Sequence, residues 1–62
     1  MSTIPEMAAW LVEHASGPIT QELRDKFDRL FAAEFEHERW QAVGRAGFII
    51  EQRAQAGRRP SR

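Results

Sequence analysis

Apolar residues recur at intervals of three and four positions along residues 20–56, a spacing typical of an amphipathic helix and not of a strand. The residues between them are mostly Glu, Arg, Lys, Gln and Ala, which favour helix, and the segment contains no proline. Thr20 is of a type that caps helix N-termini, and Gly57 is of a type that follows helix C-termini. The pattern therefore predicts one long helix over about residues 20–56.

The apolar face changes direction within this predicted helix. At about 100° per residue, one face collects Leu23, Phe27, Leu30 and Phe31. A second face, pointing nearly the opposite way, collects Trp40, Val43, Gly47, Ile50 and Ala54. Either the helix is continuous and has a different partner on each half, or it bends or breaks at residues 44–47, where each of two glycines costs a helix about 1 kcal/mol relative to alanine.

A shorter helix is predicted before it, over about residues 4–15. Thr3 and Glu6 have the spacing of a capping box, and Pro5 falls in the first turn, where its missing N–H does no harm. The Gly17–Pro18 pair ends this helix. Because the connection to Thr20 is short, the two helices should fold back on each other, so the predicted fold is an all-α helical hairpin.

The length of the first helix limits what it covers. About 11 residues span roughly 16 Å, enough to cover the long helix only from about residue 20 to residue 33. The second apolar face would then be bare, and such patches mark interfaces. We therefore predict a homodimer, with a protein interface formed by Trp10, Trp40, Val43, Gly47, Ile49 and Ile50. A break at residues 44–47 is the alternative, because a third helix could then bury part of this face within one chain.

The chain has 62 residues and no cysteine, which predicts one small helical domain (residues 1–56) and fits a reducing, cytoplasmic setting. Residues 57–62 are expected to form a disordered basic tail. No apolar run is long enough for a membrane span, so no membrane association is predicted. No serine stands in a placed relation to a histidine and an acid, and no glycine-rich phosphate loop occurs. We therefore expect neither enzyme activity nor a cofactor.

Charge divides the chain into two parts. Residues 1–38 carry eight acids and three bases, for a net charge of −5, and residues 39–62 carry one acid and six bases, for +5. A basic C-terminal segment can neutralise phosphate, which makes nucleic acid a candidate partner. The candidate contacts are Arg53, Arg58, Arg59 and Arg62.

Glu34 and His37 form a Glu-x-x-His pair, the spacing that di-iron helical bundles use to present two ligands from one helix. A metal-binding bundle is therefore a remote alternative. The competing interpretation is that Glu34 lies level with the start of the first helix and caps its free N–H groups.

These observations favour a small non-enzymatic helical module that docks a helix face on a partner protein, as an adaptor, regulator or inhibitor. The identity of that protein partner does not follow from the sequence. The alternative is a small nucleic-acid-binding regulator that uses the C-terminal arginines.

Overall fold

Three helices follow one another along the chain: α1 (Ile4–His14), α2 (Gln21–Leu30) and α3 (Glu36–Arg58). The structure is a computed structural model; it describes residues 2–58, with side chains up to residue 57. Within this range every regular element is a helix, which confirms the predicted all-α class and agrees with a hairpin that pairs a short first helix with a long later one. Of the predicted tail, residues 57 and 58 are helical and complete α3, whereas residues 59–62 lie outside the described part.

Both predicted helix starts are confirmed. The Thr3 side chain accepts the backbone N–H of Glu6, and the Glu6 carboxylate accepts the backbone N–H of Thr3 at 2.8 Å, which closes the capping box. Pro5 lies in the first turn of α1. The Thr20 hydroxyl accepts the backbone N–H of Leu23 at 3.1 Å, as an N-cap does.

The prediction of one helix over residues 20–56 is wrong at one point, because the chain breaks between Leu30 and Glu36. Phe31 leaves the helical conformation, and the backbone N–H of Glu34 donates to the Phe31 carbonyl at 3.0 Å to form a turn. The alternative of a break at residues 44–47 is wrong, since α3 is continuous through both glycines. The break that accounts for the change of apolar face therefore lies before Trp40 and not after it.

The main packing contact joins α1 to α3, although the sequence predicted that α1 would lie on the segment that forms α2. The buried residues form one cluster, consisting of Met7, Ala8, Leu11, Phe27, Ala42 and Ala46. Three of these six are alanines, and small side chains let two helix backbones approach closely. Leu30, expected to face α1, has 59% of its surface exposed. Phe27 is thus the residue through which α2 enters the core.

The helices run up, down and up. At one end, the backbone N–H of Ser2 donates to the Glu34 carboxylate at 3.0 Å, just before α3 begins. At the other end, Val12 and Glu13 of α1 line a cleft with Ile49 and Arg53 of α3. The first and third helices are therefore parallel. Because α3 has 23 residues and α1 has 11, α3 continues beyond its neighbour, and residues 51–57 are exposed.

An aromatic cluster joins α1 to α2. The Trp10 ring lies 6.1 Å from Phe27 and 5.9 Å from Phe31, and the two phenylalanine rings lie 5.0 Å apart. His14 stacks on Trp10 at 4.3 Å, and its Nδ1 lies 2.8 Å from the Trp10 carbonyl oxygen. These contacts leave Trp10 half-buried, and its predicted role at an interface stays a prediction.

Candidate interaction surface on α3

One side of α3 presents large apolar side chains to solvent. Trp40 is 60% exposed and Phe48 is 62% exposed, and Gly44 lies midway between them. Residues four apart lie on the same side of a helix, so the two rings flank the glycine. A Cβ atom placed on Gly44 or on Gly47 would meet nothing within 4 Å. We call the surface formed by Trp40, Gly44, Gly47 and Phe48 the open face of α3.

An apolar groove of about 490 Å³ borders this open face. The connection between α1 and α2 forms one wall with Gly17, Pro18 and Ile19, and α3 forms the other with Val43, Gly47, Ile50, Glu51 and Ala54. Glu51 is the one charged residue in this lining, and its carboxylate accepts a hydrogen bond from the Gln55 side chain at 3.4 Å. The groove is therefore an apolar trough with a carboxylate on its wall.

The structure divides the predicted interface residues. Trp40 is exposed, as the sequence indicated, whereas Val43, Gly47 and Ile50 are half-buried because the α1–α2 connection covers part of them. Ile49 lies on another side of α3, in the cleft it shares with α1.

Phe48 belongs to the exposed surface but was not predicted to do so. It falls outside the strict three-four stripe that begins at Trp40. Phe48 lies four positions after Gly44, and this spacing could have indicated that the two residues share one side of the helix.

The Glu-x-x-His pair has separate roles in the structure. Glu34 accepts the backbone N–H of Ser2, which precedes the N-cap Thr3, so Glu34 lies level with the start of α1 as the second interpretation expected. His37 is exposed, and its Nε2 lies 2.7 Å from the Gln41 side-chain nitrogen. Among the described residues, no three His, Asp or Glu side chains come together in a way that could hold a metal ion.

The structure describes only some of the arginines that were predicted to contact nucleic acid. Arg53 is exposed and lines the cleft that also contains Glu13. Arg58 ends α3, whereas Arg59 and Arg62 lie outside the described residues.

Arg39 is the most constrained arginine of α3, and sequence reasoning gave it no role. Its Nη1 donates to the Glu34 carbonyl at 2.7 Å and to the Phe31 carbonyl at 3.4 Å, and its Nε lies 3.5 Å from the Asp28 carboxylate. This guanidinium holds the α2–α3 turn.

No described helix combines the length and apolar character needed to cross a bilayer. No protein-family model, curated protein or solved structure matches this chain. A functional hypothesis for this protein therefore rests on the surfaces of the molecule itself.

Proposed function

We propose that this protein is a small non-enzymatic interaction module that docks the open face of α3 on a partner protein, as an adaptor, regulator or inhibitor. The observation that carries the proposal is the exposure of Trp40 on the same helix that lines an apolar groove. Large exposed apolar patches mark interaction sites, and tryptophan is enriched among residues that dominate binding energy. A continuous helix that presents such residues on one side suits recognition of a helix or groove on another protein.

Self-association belongs to the same proposal, because the open face is also available to another copy of the chain. A small core is commonly supplemented by oligomerisation. A cytoplasmic setting is part of the proposal too, since the chain has no cysteine that an oxidising compartment would pair.

Site-specific photocrosslinking in the native host cells tests the docking surface. A photoreactive phenylalanine derivative replaces Trp40 in one variant and Lys26, exposed on α2, in a matched control. We expect a discrete protein adduct from position 40 and none from position 26. Equal labelling from both positions, or no adduct at position 40, would contradict the proposal.

Nucleic-acid binding through the C-terminal arginines is the competing function. A salt titration of binding to generic duplex DNA separates it from protein docking. Phosphate contacts predict an affinity that falls steeply with salt, and that is lost when residues 57–62 are removed. We expect no binding at low salt.

A further inference from the structure

We propose that the apolar groove receives the Trp40 side chain of a second copy of this chain, so that two α3 helices pair antiparallel and exchange their indoles. The inference rests on the proposed function and names the partner of that same surface. In this pair, the groove of each copy binds the Trp40 side chain of the other copy.

The chemistry of the groove fits an indole. Its lining is apolar apart from Glu51, and a buried tryptophan is an apolar body with one N–H group that needs an acceptor. The carboxylate of Glu51 provides that acceptor. Trp40 cannot fill the groove of its own chain, because Glu51 lies eleven positions further along the same straight helix, roughly 16 Å away. The occupant must come from another molecule.

An antiparallel register follows from this contact. In a register that places Trp40 opposite the partner's Glu51, Gly44 lies opposite the partner's Gly47. By the two-fold symmetry of the pair, Gly47 lies opposite the partner's Gly44. Nothing lies within 4 Å of the missing Cβ at either glycine, so the two backbones can approach closely at the centre. The register therefore places the two glycine pairs between the two indoles.

The rest of the fold leaves this side of α3 accessible. The core of the chain lies against Ala42 and Ala46, which are fully buried. At about 100° per residue, these alanines point away from Trp40 and Gly44. A second helix can thus approach without displacing α1.

Charge also favours the antiparallel arrangement. The first turn of α3 carries two acidic residues, Glu36 and Glu38. Antiparallel pairing keeps the acidic starts of the two helices apart and opposes the two helix dipoles. A parallel pair would instead place like charges side by side.

Cysteine crosslinking of the full chain tests the register, and the background is clean because the chain has no cysteine. His37→Cys and Gln55→Cys are prepared separately, since both positions are exposed and would meet across the proposed interface. We expect a short bismaleimide to join the two variants when they are mixed. Each variant alone should stay uncrosslinked, because two copies of residue 37 would be roughly 26 Å apart.

Trp40→Ala in both variants should abolish the mixed crosslink and leave the circular dichroism spectrum unchanged. Phe35→Ala is the matched control, because Phe35 is 71% exposed but lies outside α3 and the groove. Its crosslinking yield should equal that of the unmodified pair. Glu51→Gln, which keeps an acceptor oxygen, should retain most of the yield, and Glu51→Leu should reduce it.

Three results would overturn the proposal: homotypic crosslinks of the single variants, a mixed crosslink that survives Trp40→Ala, or a sedimentation mass that stays at 7.2 kDa at every concentration. The photocrosslinking adduct at position 40 then distinguishes a failure of the dimer from a failure of the proposed function. An adduct with a different protein would leave the proposed function standing without the dimer. The lack of any adduct would remove both.

Discussion

The guanidinium of Arg39, in α3, donates a hydrogen bond of 2.7 Å to the backbone carbonyl of Glu34, which lies in the turn after α2. The same Nη1 reaches the Phe31 carbonyl at 3.4 Å, and the Nε lies 3.5 Å from Asp28 of α2. One side chain thus donates to two carbonyls of the turn, and one of them, that of Phe31, also accepts the backbone N–H of Glu34. This contact fixes where the chain reverses between α2 and α3.

Arg39→Met should therefore destabilise the fold by about 1.5–3 kcal/mol, the usual range for hydrogen bonds that involve a charged group. Urea denaturation followed by circular dichroism measures the change. Arg45→Met is the matched control, because Arg45 is exposed, and it should alter the free energy of unfolding by less than about 0.5 kcal/mol. Equal effects of the two substitutions would show that the turn does not depend on Arg39.

Phe27→Ala should cost about 3–5 kcal/mol, because Phe27 is fully buried and its removal leaves a cavity. In a chain this small such a loss should abolish cooperative unfolding, so Phe27→Leu is included as a milder variant that stays measurable. Phe35→Ala, at a position that is 71% exposed, should leave the stability nearly unchanged. A Phe27→Ala protein as stable as the parent would contradict the assigned core.

Gly44→Ala and Gly47→Ala should each stabilise α3 by up to about 1 kcal/mol, because both positions are helical and have open space around the missing Cβ. Thermal unfolding at a concentration where the chain is monomeric measures this gain. The same methyl groups should weaken self-association, since they separate the paired helices. Gly57→Ala, near the end of α3 and off the open face, should leave association unchanged.

The capping box makes the stability of α1 depend on pH. The backbone N–H of Thr3 donates to the Glu6 carboxylate and lowers the pKa of Glu6 from its ordinary value of 4.5. Because the folded-state pKa lies below the unfolded-state pKa, this contribution is present above pH 4.5 and is lost as the pH falls below it.

Denaturation of the parent and of Glu6→Gln, at pH values well above and well below 4.5, checks this expectation. The difference in stability between the two proteins should be largest at the higher pH. It should shrink on acidification, since protonated Glu6 resembles glutamine. A difference that does not vary with pH would show that the charge of Glu6 plays no part.

The helix starts could be predicted from the sequence because their determinants are local. Thr3 and Glu6 lie within one turn of each other, and Thr20 needs only the N–H groups that follow it. These inferences use short distances along the chain and the fixed geometry of a helix. Trp40 is exposed as predicted, but not because the first helix is too short to reach it: α1 packs on α3 through Ala42 and Ala46, and Trp40 lies on the opposite side of that helix.

The break between α2 and α3 could not be located in this way, because residues 31–35 contain neither glycine nor proline. It depends on Arg39, whose hydrogen bonds form only once the chain has turned. The change of apolar face did indicate a break. The two glycines led us to expect that break at residues 44–47 and not between α2 and α3.

The partner of α1 was missed for a different reason. Its contact on α3 is made through Ala42 and Ala46, and alanine adds little to a pattern read from large apolar residues.

The packing of α1 on α3 has a consequence for synthesis of the chain. Met7 and Leu11 are buried in one cluster with Ala42 and Ala46, about 35 residues later in sequence. Closing so long a loop must precede most of the apolar burial. While the ribosome has released only α1 and α2, Phe27 and the Trp10 ring have no complete core to enter. The protein should therefore gain protease resistance in a single step, once α3 is free to pack on α1.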